Sequence, residues 1–419
     1  MTSHQVQFLF FDLALIILLA RGFGRLAERV KQPPVVGEIL AGVLLGPTLF
    51  HGTMSSWLFP ADIRPLLTGM ANVGVALFMF TVGLELEAGA LRGRGRMAVG
   101  TAAGSTLVPF VLGLGLGLYL LSNHHSQRGV AFVVFVGLSV SVTAFPVLAR
   151  ILIDRDLGRT ALGNIALAAA AVVDVVAWTA LAAVQATVGG GNEHWRLLLG
   201  IPYLLSLVFV VRPLLRVVLA PGGRAAPLTS WRLAVVVVGS LLSGAATEAM
   251  GMHFIFGAFL FGVAVPSWGL ASLRGEIHES AGRVASLLLP IYFVVAGLKV
   301  DLSGVRGSQA LELAVILLVA VVGKFGGSYL GARTQGLPPR PASALAILMN
   351  TRGLTELVIL GIGLQLQLLD GPLYSLMVVM AVVTTAMTGP LLSRAYAKPV
   401  VVPASPRARE PERVSASSA

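Results

Sequence analysis

The sequence predicts an all-α polytopic membrane protein of about 13 transmembrane helices, and three observations carry that reading. Of 419 residues, 56% are apolar and only 12% are charged, about half the charged share of a soluble domain. The mean hydropathy of +0.86 comes from long apolar runs joined by short polar stretches. The 30 basic residues crowd onto alternate joints, a topological pattern that accounts for the basic balance without a nucleic-acid partner.

The runs divide into segments near 7–26, 33–49, 65–86, 96–121, 128–151, 158–187, 196–219, 230–249, 253–267, 282–299, 309–333, 341–366 and 371–395. The second and ninth are short for a span. Joints after odd-numbered segments, with the tail, hold 22 Lys/Arg, among them Arg25, Arg29, Lys31, Arg155 and Arg394. Joints after even-numbered segments hold five: Arg64, Arg128, Arg196, Lys299 and Arg306. The positive-inside rule then places the N-terminus outside and the C-terminus in the cytoplasm of a cell-membrane protein. The first segment has its positive cluster after it and reads as a retained anchor, not a cleaved signal. Residues 396–419, rich in Pro, Ser, Arg and Glu, read as a disordered cytoplasmic tail. Without cysteine, thiol and iron–sulfur chemistry drop out. No His/Asp/Glu set has metal-site spacing, and no cofactor is expected.

If segments one to six and eight to thirteen are two copies of one unit, the seventh inserts the second copy upside down, as in many secondary transporters. Segment five holds Ser139, Ser141, Thr143 and Pro146, and its partner by count, segment twelve, holds Asn350, Thr351, Arg352 and Gly353. Irregular residues at matching places are expected where two broken helices cross at mid-membrane. The alternative for Pro146 is a simple kink.

Ionisable residues inside apolar segments are functional candidates by default. Asp174, in AAAAVVDVVAW, has no charged residue near it in sequence. It is either a structural group or a carrier for which a proton and a monovalent cation compete. Lys324, in VVGKFGGSYLG, lies too deep to snorkel and is expected to partner a buried carboxylate. Gly323, Gly327 and Gly331 give its helix a small-residue stripe for close packing. Arg352 and Glu356 stand four apart and neutralise each other if they share a helix face. Asp12, Glu38 and Glu85 read as packing or entrance residues, and His253 as a solvated or hydrogen-bonded boundary residue.

Several strings taken together, VVGEILAGVLLGP (35–47), GVALFMFTVGLELE (74–87), SVTAFPVLARIL (141–152), AVVDVVAW (171–178), LLLPIYFVVAGLKVDL (287–302) and MNTRGLTELVIL (349–360), resemble the monovalent cation:proton antiporter-2 family. The resemblance implies a homodimer in the lipid bilayer that exchanges sodium or potassium ions for protons by alternating access. It implies scaffold helices in 1–95 and 230–308, core helices in 96–187 and 309–395, and a linker helix in 188–229. It also implies that Asp174 carries the cation or proton, the only metal contact expected being that monovalent ion. Ser141, Thr143 and Thr351 would lie beside it, with Lys324, Arg352 and Glu356 compensating charge. In the family an Asn, Asp or Gln usually precedes the carrier, and here Val173 stands there. Lys324 is therefore expected to pair with Asp174 itself, at roughly 4 Å.

The rival within transport is a member of the same fold that couples protons or sodium to an organic cation or metabolite. Outside transport, an intramembrane protease would need a GxGD or GxSG string, and the sequence contains neither.

Overall fold

The structure, a computed structural model, describes residues 2–48, 52–85, 95–124, 128–155, 157–158, 160–188, 199–220, 228–266, 271–304 and 307–395. The expected disordered tail, 396–419, lies outside the described residues. Every described regular element is helical: α1 (Ser3–Arg29), α2 (Pro34–Leu45), α3 (Thr53–Leu58), α4 (Arg64–Glu85), α5 (Gly95–Leu121), α6 (Gly129–Ser141), α7 (Phe145–Asp154) and α8 (Ala161–Val188) come first. They are followed by α9 (Gly200–Leu219), α10 (Ser230–Ala249), α11 (Phe254–Ala264), α12 (Ala271–Gly297), α13 (Ser308–Thr334), α14 (Pro339–Met349), α15 (Leu354–Gln365) and α16 (Gly371–Ala395).

Local chemistry explains the boundaries. Thr2 caps α1 in a reciprocal box with Gln5, satisfying two orphan amides. Prolines open α2 and α14 at the position where a missing N–H is harmless. Pro146 stands in the first turn of α7, so it starts a helix after a break and does not kink a continuous one.

Each of the thirteen apolar segments maps onto one helix or helix pair, but length separates them. Among the described residues nine helices are long and apolar enough to cross a membrane, and α14 with α15, bent by 43°, makes a tenth span. Helices α2, α6 and α11 are shorter. One further boundary differs: α12 begins at Ala271 and not near 282. Its polar first turns read as a joint by hydropathy, yet Arg274 is buried there and donates to the carbonyls of Leu84 and Val265, closing the ends of α4 and α11.

The contacts repeat between the two halves. Helix α1 packs on α2 as α10 packs on α11, α2 meets α12 as α11 meets α4, and α5 contacts α6 and α8 as α13 contacts α14 and α16. Close backbone crossings fix the register. A Cβ on Gly42 would fall 2.3 Å from the Val294 carbonyl, and one on Gly262 would fall 2.3 Å from that of Phe80. Gly297 and Gly83 stand on the other side of these two crossings. The equivalent helices α5 and α13 run antiparallel, Gly104 facing Gly327 and Gly100 facing Gly331. The second copy is therefore inverted, and the glycine stripe of α13 is the seam along which α5 approaches it.

Candidate functional site

Two interruptions bring the site together. Helix α6 stops at Ser141, extended backbone follows at Val142, and α7 starts at Phe145. Helix α14 stops at Met349 and α15 starts at Leu354. The two breaks pass each other: the Thr143 hydroxyl donates to the Met349 carbonyl at 2.9 Å, and the Ala144 amide donates to the Thr351 carbonyl at 3.0 Å. Gly353 is required here, since a Cβ would fall 2.5 Å from Val147 Cγ2 on α7.

Breaking a helix in an apolar interior strands carbonyls at one end and amides at the other, with the dipole charge of each end. Cations meet the stranded carbonyls of α6. Arg352 donates to Ser139 O at 2.9 Å and to Val140 O at 2.5 Å, while Lys324 Nζ donates to the Ser141 carbonyl and, at 2.9 Å, to Ser105 O on α5. Arg352 also pairs with Glu356 at 2.6 Å, in the first turn of α15 where an acid suits the dipole. At the amide end, the Phe145 N–H is directed at the carboxylate of Asp174 on α8. Asp174 is 2% exposed, and its Oδ1 has no hydrogen-bond partner among the described residues. An orphan carboxylate oxygen at the positive end of a half-helix is an acceptor for a proton or a small cation. Among the described residues no group of three or more His, Cys, Asp or Glu could hold a metal ion.

The seven residues singled out in the sequence gather at this crossing, in different ways. Ser141 contributes its carbonyl, its hydroxyl being turned back to Leu138 O. The Thr351 hydroxyl donates to Leu348 O. The expected Lys324–Asp174 ion pair is absent, no N–O distance of 4.0 Å or less joining them. The C-terminal carbonyls of α6 hold the ammonium instead, because they are otherwise unsatisfied. The Arg352–Glu356 pairing is present as expected. Asp12 is buried on α1, and neither carboxylate oxygen has a partner among the described residues; nothing in the structure explains it. Glu38, on α2, packs toward Gly24 of α1.

The sequence reading missed Ser105 and the threonines of α16. Thr385 accepts from the Arg352 amide at 3.0 Å and donates to the Arg352 carbonyl at 2.8 Å, and Asn350 reaches Thr384 O at 3.3 Å. The run TTAMT was a legible signal in an apolar helix. Ser105 acts through its backbone and left none.

Two cavities flank the crossing between the α1/α2/α4/α11/α12 group and the α7/α15/α16 group. At the end of the basic loops, about 490 Å³ is lined by Glu28, Lys31, Gln32, Arg150 and Arg155. At the opposite end the space shrinks to about 30 Å³.

Comparison with known proteins extends these observations. The chain is 37% identical over 411 residues to the Na(+)/H(+) antiporter NhaS4 of Synechocystis, covering 95% of this chain and all of that protein. It is 36% identical to Cation/H(+) antiporter 20 of Arabidopsis thaliana, over 91% of this chain and 48% of that protein. It is 31% identical to K(+)/H(+) antiporter 1 of Saccharomyces cerevisiae, over 94% of this chain and 47% of that one. The chain thus spans about half the length of the plant and yeast relatives. The fold matches that of the sodium proton antiporter MjNhaP1 of Methanocaldococcus jannaschii with a TM-score of 0.68, at 15% identity, over 94% of this chain and 97% of that one. The family described as "Sodium/hydrogen exchanger, transmembrane" matches residues 14–398, and the chain belongs to that family.

Proposed function

We propose that the protein is a secondary antiporter that exchanges a monovalent cation, sodium or potassium, for protons across a membrane, with Asp174 as the carrier the two ions share. The observation that carries this is the placement of one buried carboxylate, its Oδ1 unpartnered, against the amide end of a broken helix. A full-length match to a protein named a sodium/proton antiporter supports it, as does a match over about half the length of a protein named a potassium/proton antiporter. The work is transport, with no covalent change in the cargo.

In this reading α5–α8 and α13–α16 form a core that moves against a scaffold of α1–α4 and α10–α12, with α9 linking them. All thirteen segments cross or re-enter the bilayer. The wide cavity at the basic end and the narrow one opposite correspond to a state open toward the cytoplasm, with the N-terminus outside, in a homodimer at the cell membrane. Thr143 and Thr351 lend oxygens beside the ion.

The test is Asp174→Asn in liposomes carrying an internal pH dye, challenged in turn with sodium, potassium, lithium and rubidium. Asn keeps size and hydrogen bonding but releases no proton, so exchange is lost while the protein remains folded. Exchange at the wild-type rate would remove Asp174 as carrier. Val173, apolar and buried beside the carrier, favours a second reading, in which the same fold exports an organic cation or metabolite. In that case the wild-type protein would respond to none of the four ions.

A further inference from the structure

The cavity of about 30 Å³ opposite the basic loops lies between α4, α11 and α12 on one side and α15 and α16 on the other, with Asn72, His253, Tyr292, Lys299, Gln365 and Tyr374 among its lining. Two hydrogen bonds join the helix groups at this end: Tyr374 Oη donates to Ala296 O at 3.1 Å, and the Asp301 amide donates to Ser375 Oγ at 3.0 Å. Its lining includes no carboxylate, and Lys299 is its one Lys or Arg. The Lys299 ammonium forms no hydrogen bond or ion pair with any described residue. The other titratable groups facing the cavity are His253, Tyr292 and Tyr374. Asp301, two residues on, turns its carboxylate to Ser303.

The inverted repeat sharpens the point. Two residues beyond Gly297 stands Lys299, and two residues beyond its repeat counterpart Gly83 stands Glu85. The same register position carries a base in one repeat and an acid in the other.

We propose that Lys299 is an affinity-determining residue for one side of the exchange, its charge lowering the affinity for monovalent cations arriving from the side of His253 and Asp301. The inference rests on the reading that Asp174 is reached through the crevice between the two helix groups. A proton and a metal cation carry the same charge, so the ammonium penalises both alike at the site open to that side. The equilibrium between ion gradients is then untouched. What changes is the concentration range over which that side works.

The experiment measures KM for sodium and potassium from each side, in right-side-out and everted membrane vesicles, at several pH values. Wild type has the higher KM on the Lys299 side. In Lys299→Gln that KM falls about fivefold at alkaline pH, the scale of one screened charge at the exposed mouth of the passage, and the opposite KM stays the same. The fall vanishes at acid pH, where the competing proton gains as much as the cation does. A purely structural lysine would give no such pH signature. Lys299→Arg keeps the charge and behaves as wild type. Equal wild-type KM on the two sides, an unchanged KM in active Lys299→Gln, or equal shifts on both sides would overturn the proposal. Asp174→Asn run in parallel separates the two ideas: continued exchange there defeats the carrier assignment and leaves the side-to-side comparison standing.

Discussion

Replacing Arg352 by Met tests the most heavily bonded side chain of the crossing. The guanidinium is fully buried and holds Ser139 O, Val140 O and Glu356 together. Its loss leaves Glu356 as an uncompensated charge in an apolar interior, which costs about 3–5 kcal/mol. It also orphans two carbonyls at about 1–3 kcal/mol each. Glu356→Met leaves the opposite orphan charge, although Arg352 still has its two carbonyls. The double variant Arg352→Met/Glu356→Met removes both charges and leaves only the carbonyls, so it recovers about 3 kcal/mol relative to Arg352→Met. The measurement is the thermal midpoint of the detergent-purified proteins, followed by tryptophan fluorescence. The expected order is wild type, then the double variant, then Arg352→Met. An Arg352→Met protein as stable as wild type, or a double variant less stable than Arg352→Met, would refute the reading that the two charges satisfy each other and that Arg352 closes α6.

Two further outcomes follow. Both ring nitrogens of His124 face carboxylates, Nδ1 at 2.7 Å from Asp370 and Nε2 at 3.2 Å from Glu312; the hydrogen bond to Asp370 leads in raising its pKa above the usual 6.5. A raised value in the folded state stabilises fully below the unfolded pKa, so the thermal midpoint should fall as pH rises through the folded pKa, and His124→Gln should flatten that fall. The exposed Ser122 and Ser393 report topology in a chain without cysteine: Ser122→Cys should react with an impermeant thiol reagent from outside and Ser393→Cys only from inside, and the reverse pattern would invert the orientation.

Much of the site was legible because an apolar interior makes polar residues conspicuous. Asp174, Lys324, Arg352 and Glu356 are exceptional in their segments by charge alone, and Thr143, Pro146 and Gly353 by their backbone preferences. What sequence does not display is the partner of a charge when that partner is backbone. Lys324 was expected on a carboxylate, yet it is held by the carbonyls of Ser105 and Ser141, groups every residue possesses. The early start of α12 was hidden for a related reason. Hydropathy treats SLRGEIHESAGR as a joint, whereas Arg274 draws that stretch into the fold by closing two helix ends. The repeat was countable, but its register appeared only when the crossings at Gly42 with Gly297 and at Gly83 with Gly262 were seen together.

The partner found for Lys324 also fixes the expected stoichiometry. Had Lys324 been paired with Asp174, an arriving cation would have displaced the ammonium and expelled its proton. With more than 4.0 Å between them, their attraction at an effective dielectric near 20 stays below about 4 kcal/mol. The groups that hold the ammonium are carbonyls present whether or not an ion is bound, so cation binding takes no partner from it. Arg352 likewise keeps Glu356 Oε2 and two α6 carbonyls whether or not an ion is bound, while Glu356 Oε1 has no partner among the described residues. On the proposed reading Asp174 is the group at the crossing whose occupancy changes, and Val173 offers no second acid beside it. The crossing holds two cations and two carboxylates when empty, and it gains one positive charge whether the carrier takes a proton or a sodium ion. One proton should therefore move for each cation, with no net charge transferred in a cycle. In liposomes with equal sodium and equal pH on both sides, a potassium diffusion potential set with valinomycin should drive no net proton flux. A flux driven by that potential alone would mean that a second proton, from Lys324, travels with each exchange.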